Sequence, residues 1–201
     1  MSNITIAGNA AGTATFTVAA PATNTNRTLT LPDTTGTLLA EGGAITEATP
    51  VTASGTVIDF TGIPSWAKRI TIMASGLSVS GTTAPTVQIG DSGGIETTGY
   101  ASAKADINAS NAAASGSVLT TAFRFMDLSA AADVGYAVLT LVNVSGNIWL
   151  ASGTYVIDAS TDKVGYVSGS KTLSGTLDRV RITDGGTDTF DAGTVNVMWE
   201  G

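Results

Sequence analysis

The chain has 201 residues, of which only 12% are charged, with a net charge of −7 and neither cysteine nor histidine. So few and scattered Lys and Arg residues cannot replace the counterions of a phosphate backbone, which argues against nucleic-acid binding. Without cysteine there is no disulfide or thiolate chemistry, and without His or Cys a transition-metal site is not expected.

Residues 1–45 carry short alternating strands but no core of their own. The runs 15–18 and 27–31 alternate polar and apolar residues, and Pro32 with Gly36 marks a turn between strands. So short a segment buries too little area to offset an ordering entropy of about 1–2 kcal/mol per residue. We therefore expect it to be an attachment segment that packs against the same segment of other copies, in a homotrimer.

Residues 46–201 show the features of a single all-β domain, an antiparallel β-sandwich or jelly-roll-like fold. Strand signals recur at sandwich-like spacing and predict strands near 56–60, 68–74, 85–90, 118–126, 136–144, 148–151, 154–158, 164–167, 177–183 and 194–199. The alternating apolar residues expected in the core are Ile70, Ile72, Val87, Ile89, Phe123, Phe125, Leu139, Leu141, Val180, Ile182, Val195, Val197 and Trp199.

The connections of this domain are predicted from glycine, serine and asparagine clusters. Hairpin turns are expected at 145–147, 152–153, 168–170 and 184–186. The Ala- and Ser-rich run 101–117 has no strong period and is predicted to be a long surface loop.

The stretch Gly90-Asp91-Ser92-Gly93-Gly94 resembles the nucleophile motif of chymotrypsin-like serine proteases. In that chemistry a histidine takes the proton of the serine hydroxyl, and this chain has no histidine. The stretch is therefore interpreted as a Gly-rich turn after a strand. We expect no catalytic residue and no enzymatic activity.

A carboxylate-rich turn near the C-terminus holds Asp184, Asp188 and Asp191. Calcium could bind such a turn, but the spacing does not match the alternate-position ligands of an EF-hand loop. A turn whose Asp side chains accept hydrogen bonds from backbone amides explains the pattern better. No metal and no cofactor are therefore expected, with calcium left open.

Flat aromatic side chains on loops are the natural candidates for contact with a sugar or protein receptor. Trp149 and Tyr155 flank the predicted turn at 152–153, and Tyr100 follows a Gly-rich loop. These three residues are the predicted receptor-binding side chains.

The run 19–39 contains the pattern TLTLPD-x-x-GTLL and resembles the strand-turn-strand linker of tailed-phage and prophage tail-fibre proteins. The runs FTGIP at 60–64, KRIT at 68–71, LDRVRIT at 177–183 and GTDTFDAG at 186–193 resemble the C-terminal module of phage fibre and tail proteins. The resemblance implies a virion structural protein, a tail fibre that mediates host attachment. Its implied partners are other virion proteins, reached through the N-terminal segment, and a host-surface glycan or protein receptor.

Two alternatives remain open at this point. A head-decoration or capsid-fibre protein would share the same fold, and a tailspike that cleaves surface glycans would need a carboxylate pair in a cleft. Residues 1–5 lack a secretory signal, and no apolar run approaches the length of about 20 residues that a membrane span needs. We therefore expect synthesis in the host cytoplasm, incorporation into the virion and no membrane insertion.

Overall fold

The computed structural model describes residues 45–158, 162–186 and 188–201, and in these residues all regular structure is β-strand. The predicted N-terminal segment falls almost wholly outside the described residues, so its role and its boundary near residue 45 stay predictions. The strands in chain order are β1 (Thr46–Glu47), β2 (Val51–Thr52), β3 (Val57–Thr61), β4 (Arg69–Val79), β5 (Thr86–Asp91), β6 (Gly94–Ile95), β7 (Tyr100–Asn108), β8 (Ala114–Leu119), β9 (Phe123–Arg124), β10 (Val134–Ser145), β11 (Ile148–Asp158), β12 (Lys163–Thr172), β13 (Arg179–Thr183) and β14 (Phe190–Glu200).

The described strands form two antiparallel sheets that pack face to face, which confirms the predicted all-β sandwich. The larger, nine-stranded sheet has the order β1-β14-β4-β10-β11-β12-β7-β8, with β2 also paired to β14. The smaller, five-stranded sheet has the order β3-β13-β5-β6, with β9 also paired to β5. In each long strand alternate side chains point between the sheets, as the two-residue period of a strand requires.

The core lies between the two sheets and includes the residues that alternation predicted. Every predicted core residue is buried except Trp199, which is half-buried and packs against the core. Across the larger sheet, Ile72 of β4 is paired with Leu139 of β10 and with Val197 of β14. Such rows of inward apolar side chains fix the register, because a slip of one residue would turn them toward water.

The prediction of a long surface loop at 101–117 is wrong, because this run forms the hairpin of β7 and β8 around an exposed turn at 109–113. Its inward side chains on β7 include Ser102, Lys104 and Asp106, while the outward ones are mostly alanine. A search for apolar alternation finds no strand there, because the polar residues occupy the inner face.

Two predicted hairpin turns are also wrong, since 152–153 and 168–170 lie inside the long strands β11 and β12. The glycines there serve close packing instead of turning the chain. A Cβ atom on Gly153 would lie 2.5 Å from the carbonyl oxygen of Val138, and one on Gly169 would lie 2.6 Å from that of Ala101. The predicted hairpin turn at 145–147 is present between β10 and β11. The chain also bends at 184–186, but this is not a hairpin, because β13 and β14 lie in different sheets. Gly146 and Gly185 have positive φ in these bends.

In the described residues, no helix is long and apolar enough to cross a membrane.

Candidate functional site

The most unusual surface of the described domain is the outer face of the nine-stranded sheet, here meaning the side of that sheet that points away from the five-stranded sheet. Along β10, β11, β12 and β7, one large apolar side chain after another is exposed on it. They are Ile107, Tyr136, Val138, Val142, Val144, Ile148, Leu150, Val156, Val164 and Tyr166. The register aligns them in rows, one of which joins Tyr136, Val156, Val164 and Ile107 across the four strands.

The same four strands present almost no charge on the outer face. Between the apolar rows lie small or hydroxyl residues, such as the row of Thr140, Ser152, Ser168 and Ala103. Among the described residues of these strands, Asp158 at the end of β11 is the one charged side chain that points outward. A sheet face in contact with water normally alternates with polar or charged residues, so this face has the composition of a buried surface.

The outer face of the five-stranded sheet has the opposite character. Arg181 of β13 makes a bidentate ion pair with Asp59 of β3, with both N–O distances 2.7 Å. Gln88 of β5 is the register partner of Arg181 on the other side. This face is therefore typical of a solvated sheet. The same domain thus has one polar outer face and one apolar outer face.

Strand β7 shows the inversion most clearly, because its charged residues point inward and its apolar residues point outward. Lys104 and Asp106 are buried, with their Nζ and Oδ1 atoms 2.6 Å apart. Lys104 Nζ also lies 2.6 Å from Oδ2 of Asp127, and Lys163 Nζ lies 3.3 Å from that same oxygen. Buried charges are tolerated only when paired, as they are here.

Hydrogen bonds complete this buried network. Ser115 donates to Oδ2 of Asp106 at 2.8 Å, and the Tyr155 hydroxyl donates to Oδ1 at 3.3 Å. Burial raises the pKa of Asp106, but the hydrogen bonds from Lys104 and Ser115 and the lysine charge outweigh it, so the pKa lies below its usual value. Burial and the negative charges of Asp106 and Asp127 raise the pKa of Tyr155.

A second polar cluster lies beside Tyr100, at the other end of β7. Glu96 pairs with the buried ammonium of Lys171 and accepts hydrogen bonds from the amide and hydroxyl of Ser174. The Ser174 hydroxyl also lies 2.9 Å from Oδ2 of Asp91, so its single proton is shared between the two carboxylates. Burial raises the pKa of Glu96, but the bonds from Lys171 and Ser174 dominate and lower it overall. Each donor of this cluster faces an acceptor, so the cluster stabilises the connections between strands that contribute its residues.

The predicted receptor-binding residues do not lie on exposed loops, so that part of the prediction is wrong. Tyr100, Trp149 and Tyr155 are 3%, 4% and 3% exposed, at inward positions of β7 and β11. The Tyr100 hydroxyl accepts a hydrogen bond from the amide of Ile89 at 2.9 Å, and its ring packs edge-on against Phe123 at 4.9 Å. Burial raises the pKa of Tyr100 to about 12. These rings stabilise the core and present no flat face to a ligand.

Ser92 lies in the turn between β5 and β6, as predicted for the protease-like stretch. Its neighbour Asp91 is buried and uses Oδ1 to accept the amide of Gly93 at 2.8 Å. Gly94 has a positive φ of 126°, a conformation that suits glycine. The short motif is thus explained by the geometry of a tight turn.

Two of the three C-terminal carboxylates accept backbone amides. Asp184 accepts the amide of Gly186 at 3.1 Å, and one oxygen of Asp188 accepts the amides of Thr82 and Thr83, each at 2.8 Å. Within the described residues no group of three or more acidic side chains is arranged to hold a metal ion. The amide-capping interpretation accounts for the contacts of Asp184 and Asp188.

A shallow groove of about 750 Å³ crosses the outer face where β14, β4, β10, β11 and β12 meet. Its walls include Met73, Tyr136, Val138, Val164 and Met198. Sequence reasoning did not predict this face or its groove, although the sequence contains a signal for them. Strand β10 carries apolar residues at both its odd and its even positions, a pattern typical of strands buried on both faces.

Comparisons with protein-family models, with curated proteins and with solved structures found no match to this chain.

Proposed function

We propose that this chain is a structural protein of a bacteriophage virion, a tail fibre that attaches the particle to its host. The observation that carries the proposal is the resemblance of the 19–39 run to a tail-fibre linker, together with the fibre-like runs at 177–183 and 186–193. The all-β sandwich fits a stable adhesive domain. We assign the chain a binding role, without a catalytic step.

In this proposal the N-terminal segment joins other virion proteins, and copies of the chain assemble as a homotrimer. Multivalent display lets several weak receptor contacts act together through their effective concentration. The receptor is a glycan or protein of the host surface.

The direction of the strands suggests which end of the domain presents receptor contacts. Thr46 pairs with Trp199 near the end of β14, so the described chain begins at the end of the large sheet that also holds the 145–147 turn. The opposite end carries the 109–113 turn and the 129–133 turn, and both project exposed residues. If the N-terminal segment is held by the particle, the turns at 109–113 and 129–133 are the free end.

Immunogold electron microscopy tests the proposal. An antiserum raised against the full chain is applied to phage particles produced by the source strain, with antiserum pre-absorbed on the purified chain as the control. Gold at the tail is the expected result. Gold on the capsid would replace the tail-fibre assignment with a head-decoration or capsid-fibre protein, and purified particles without label and without the chain on an immunoblot would overturn the virion assignment.

A further inference from the structure

We propose that the outer face of the nine-stranded sheet is the surface through which this chain packs against a second copy of itself. The inference goes beyond the proposed function and does not depend on it, because it follows from the sheet alone. A fibre, a capsid protein or an unrelated assembly could use the same face.

The isolated domain leaves a large amount of apolar surface in water on this face. Tyr166 is 61% exposed, and its neighbours Val138, Val156 and Val164 are exposed as well. Single exposed apolar residues are ordinary, but contiguous apolar patches of more than a few hundred Å² mark interaction sites on soluble proteins. The rows on this face span four adjacent strands without a charged residue in their middle.

The inversion of β7 also indicates that its outer side is covered. The strand buries the Lys104–Asp106 pair on its inner side and directs Ala101, Ala103 and Ala105 outward. A strand whose outer side faced water would lower its free energy by exchanging these positions, because ionised groups are costly to bury. If a second protein covers the outer side of β7, the arrangement is explained, because the small alanine side chains let that protein approach the strand closely.

The area of the face fits an interface between two proteins. The four strands that carry the apolar rows, about 4.8 Å apart and about ten residues long, cover about 19 Å by 33 Å, or about 630 Å². Their neighbours β4 and β14 extend the face to about 950 Å². A standard specific interface buries about 800 Å² on each partner, so the face is large enough for a stable contact between two copies.

The charge of the face favours a second copy as its occupant. The chain carries a net charge of −7, so two copies repel each other wherever their charged surfaces meet. The outer face reduces this repulsion, because its charged residues lie at its margin, where Arg69 and Glu200 pair at 2.6 Å, Glu47 lies on the edge strand β1 and Asp158 ends β11. Between these margins a charged partner would find no opposite charge on β10, β11, β12 and β7, whereas another copy offers the same neutral and apolar rows.

The test compares two valine-to-lysine variants of the full chain by analytical ultracentrifugation at micromolar concentration. Val156 on the outer face is 45% exposed, and Val57 on the outer face of the five-stranded sheet is 42% exposed, so V156K and V57K are matched in chemistry and exposure. We expect the unmodified chain and V57K to associate equally. V156K should weaken the association made through this face by about 30-fold or more, as expected for the loss of a central interface side chain, while any contact made by residues 1–45 is the same in both variants.

A cross-linking measurement keeps the test independent of how well V156K folds. Because the chain has no cysteine, a single introduced cysteine is the only thiol. Ser152→Cys lies in the middle of the outer face, and Thr61→Cys on β3 is its exposed control. A short bismaleimide should join copies of Ser152→Cys into covalent pairs and leave Thr61→Cys as single chains.

Three results would overturn the inference. They are a monomeric unmodified chain at these concentrations, equal association of V156K and V57K, and equal cross-linking of the two cysteine variants. Flotation with neutral phosphatidylcholine vesicles identifies a lipid occupant: a chain that is monomeric in solution but floats with vesicles would replace the second copy with a membrane surface. None of these readouts involves the phage particle, so their failure is distinct from failure of the immunogold experiment.

Discussion

The Tyr155 ring lies across Gly165, its register partner on the adjacent strand, so that a Cβ atom added at Gly165 would overlap the ring carbon Cζ. This contact places the Tyr155 hydroxyl against Asp106 on the next strand but one, at 3.3 Å. One glycine on β12 thereby connects a core aromatic residue to the buried ionic network of β7.

Gly165→Ala is expected to destabilise the domain by about 1–3 kcal/mol, the usual cost of overpacking a filled core. The added methyl group must push the Tyr155 ring away from Asp106. Urea unfolding of the unmodified chain and the variant measures the loss. In a Tyr155→Ala background the same glycine substitution should cost much less, since the ring is gone. An equal cost in both backgrounds would show that Tyr155 is not the obstacle.

Asp106→Asn should reduce the stability of the domain at neutral pH. It should also make that stability less dependent on pH in the acidic range. The folded-state pKa of Asp106 is lowered, so its contribution is fully present above the ordinary value of 3.8 and is lost as pH falls through the lower folded value. The neutral-pH loss should be about 3 kcal/mol, at the low end for a broken buried pair, because Lys104 keeps Asp127.

Thermal midpoints between pH 2 and 7 check this expectation. Asp191→Asn, an exposed carboxyl on β14, is the matched control. Part of the acid sensitivity should survive in Asp106→Asn, since Glu96 and Asp188 also have lowered pKa values. If Asp106→Asn and the control give the same pH profile, the Asp106 network does not contribute to acid stability.

Ser92→Ala should leave stability within about 0.5 kcal/mol of the unmodified chain, as is usual for an exposed surface position. Asp91→Ala, one residue earlier, should cost about 1–3 kcal/mol, because it removes the acceptor of the Gly93 amide and of the Ser174 hydroxyl. Differential scanning calorimetry of both variants measures the contrast. A large effect of Ser92→Ala, or its abolition of any hydrolytic activity in a folded chain, would contradict the turn interpretation.

A two-residue Gly-Ser insertion after Ser110 is expected to reduce cell adsorption without lowering the thermal midpoint. The 109–113 turn is exposed and lies at the end of the domain away from Thr46, and exposed turns tolerate insertion. The same insertion after Gly146, at the opposite end, is the control. Normal adsorption of the first variant, or equal loss in both, would show that receptor contacts do not lie at the 109–113 end.

Much of the fold could be predicted from local pattern alone. Ile70 and Ile72, Leu139 and Leu141, and Val195 and Val197 alternate with polar or smaller residues, and all six are buried in the core. Gly146 and Gly185 were also recognisable, because turns that need positive φ favour glycine. These features depend on residues that are close together in the sequence, so a local pattern is enough to predict them.

The apolar outer face and the buried positions of the predicted receptor-binding residues could not be predicted in this way. Tyr100, Trp149 and Tyr155 stand beside small and flexible residues that suggest loops, yet they point inward from continuous strands. Gly153 and Gly169 have the local appearance of turns, but their role is close approach to strands far away in sequence.

The sequence by itself determined that this protein is an acidic, cysteine-free, all-β chain, because charge, composition and two-residue alternation are local properties. Only the tertiary structure decided that Lys104 and Asp106 face the interior while Val156 and Tyr166 face outward on one continuous sheet. Alternation divides a strand into two faces but does not say which one is covered. That choice depends on where the second sheet packs and on the ion partners that distant segments supply.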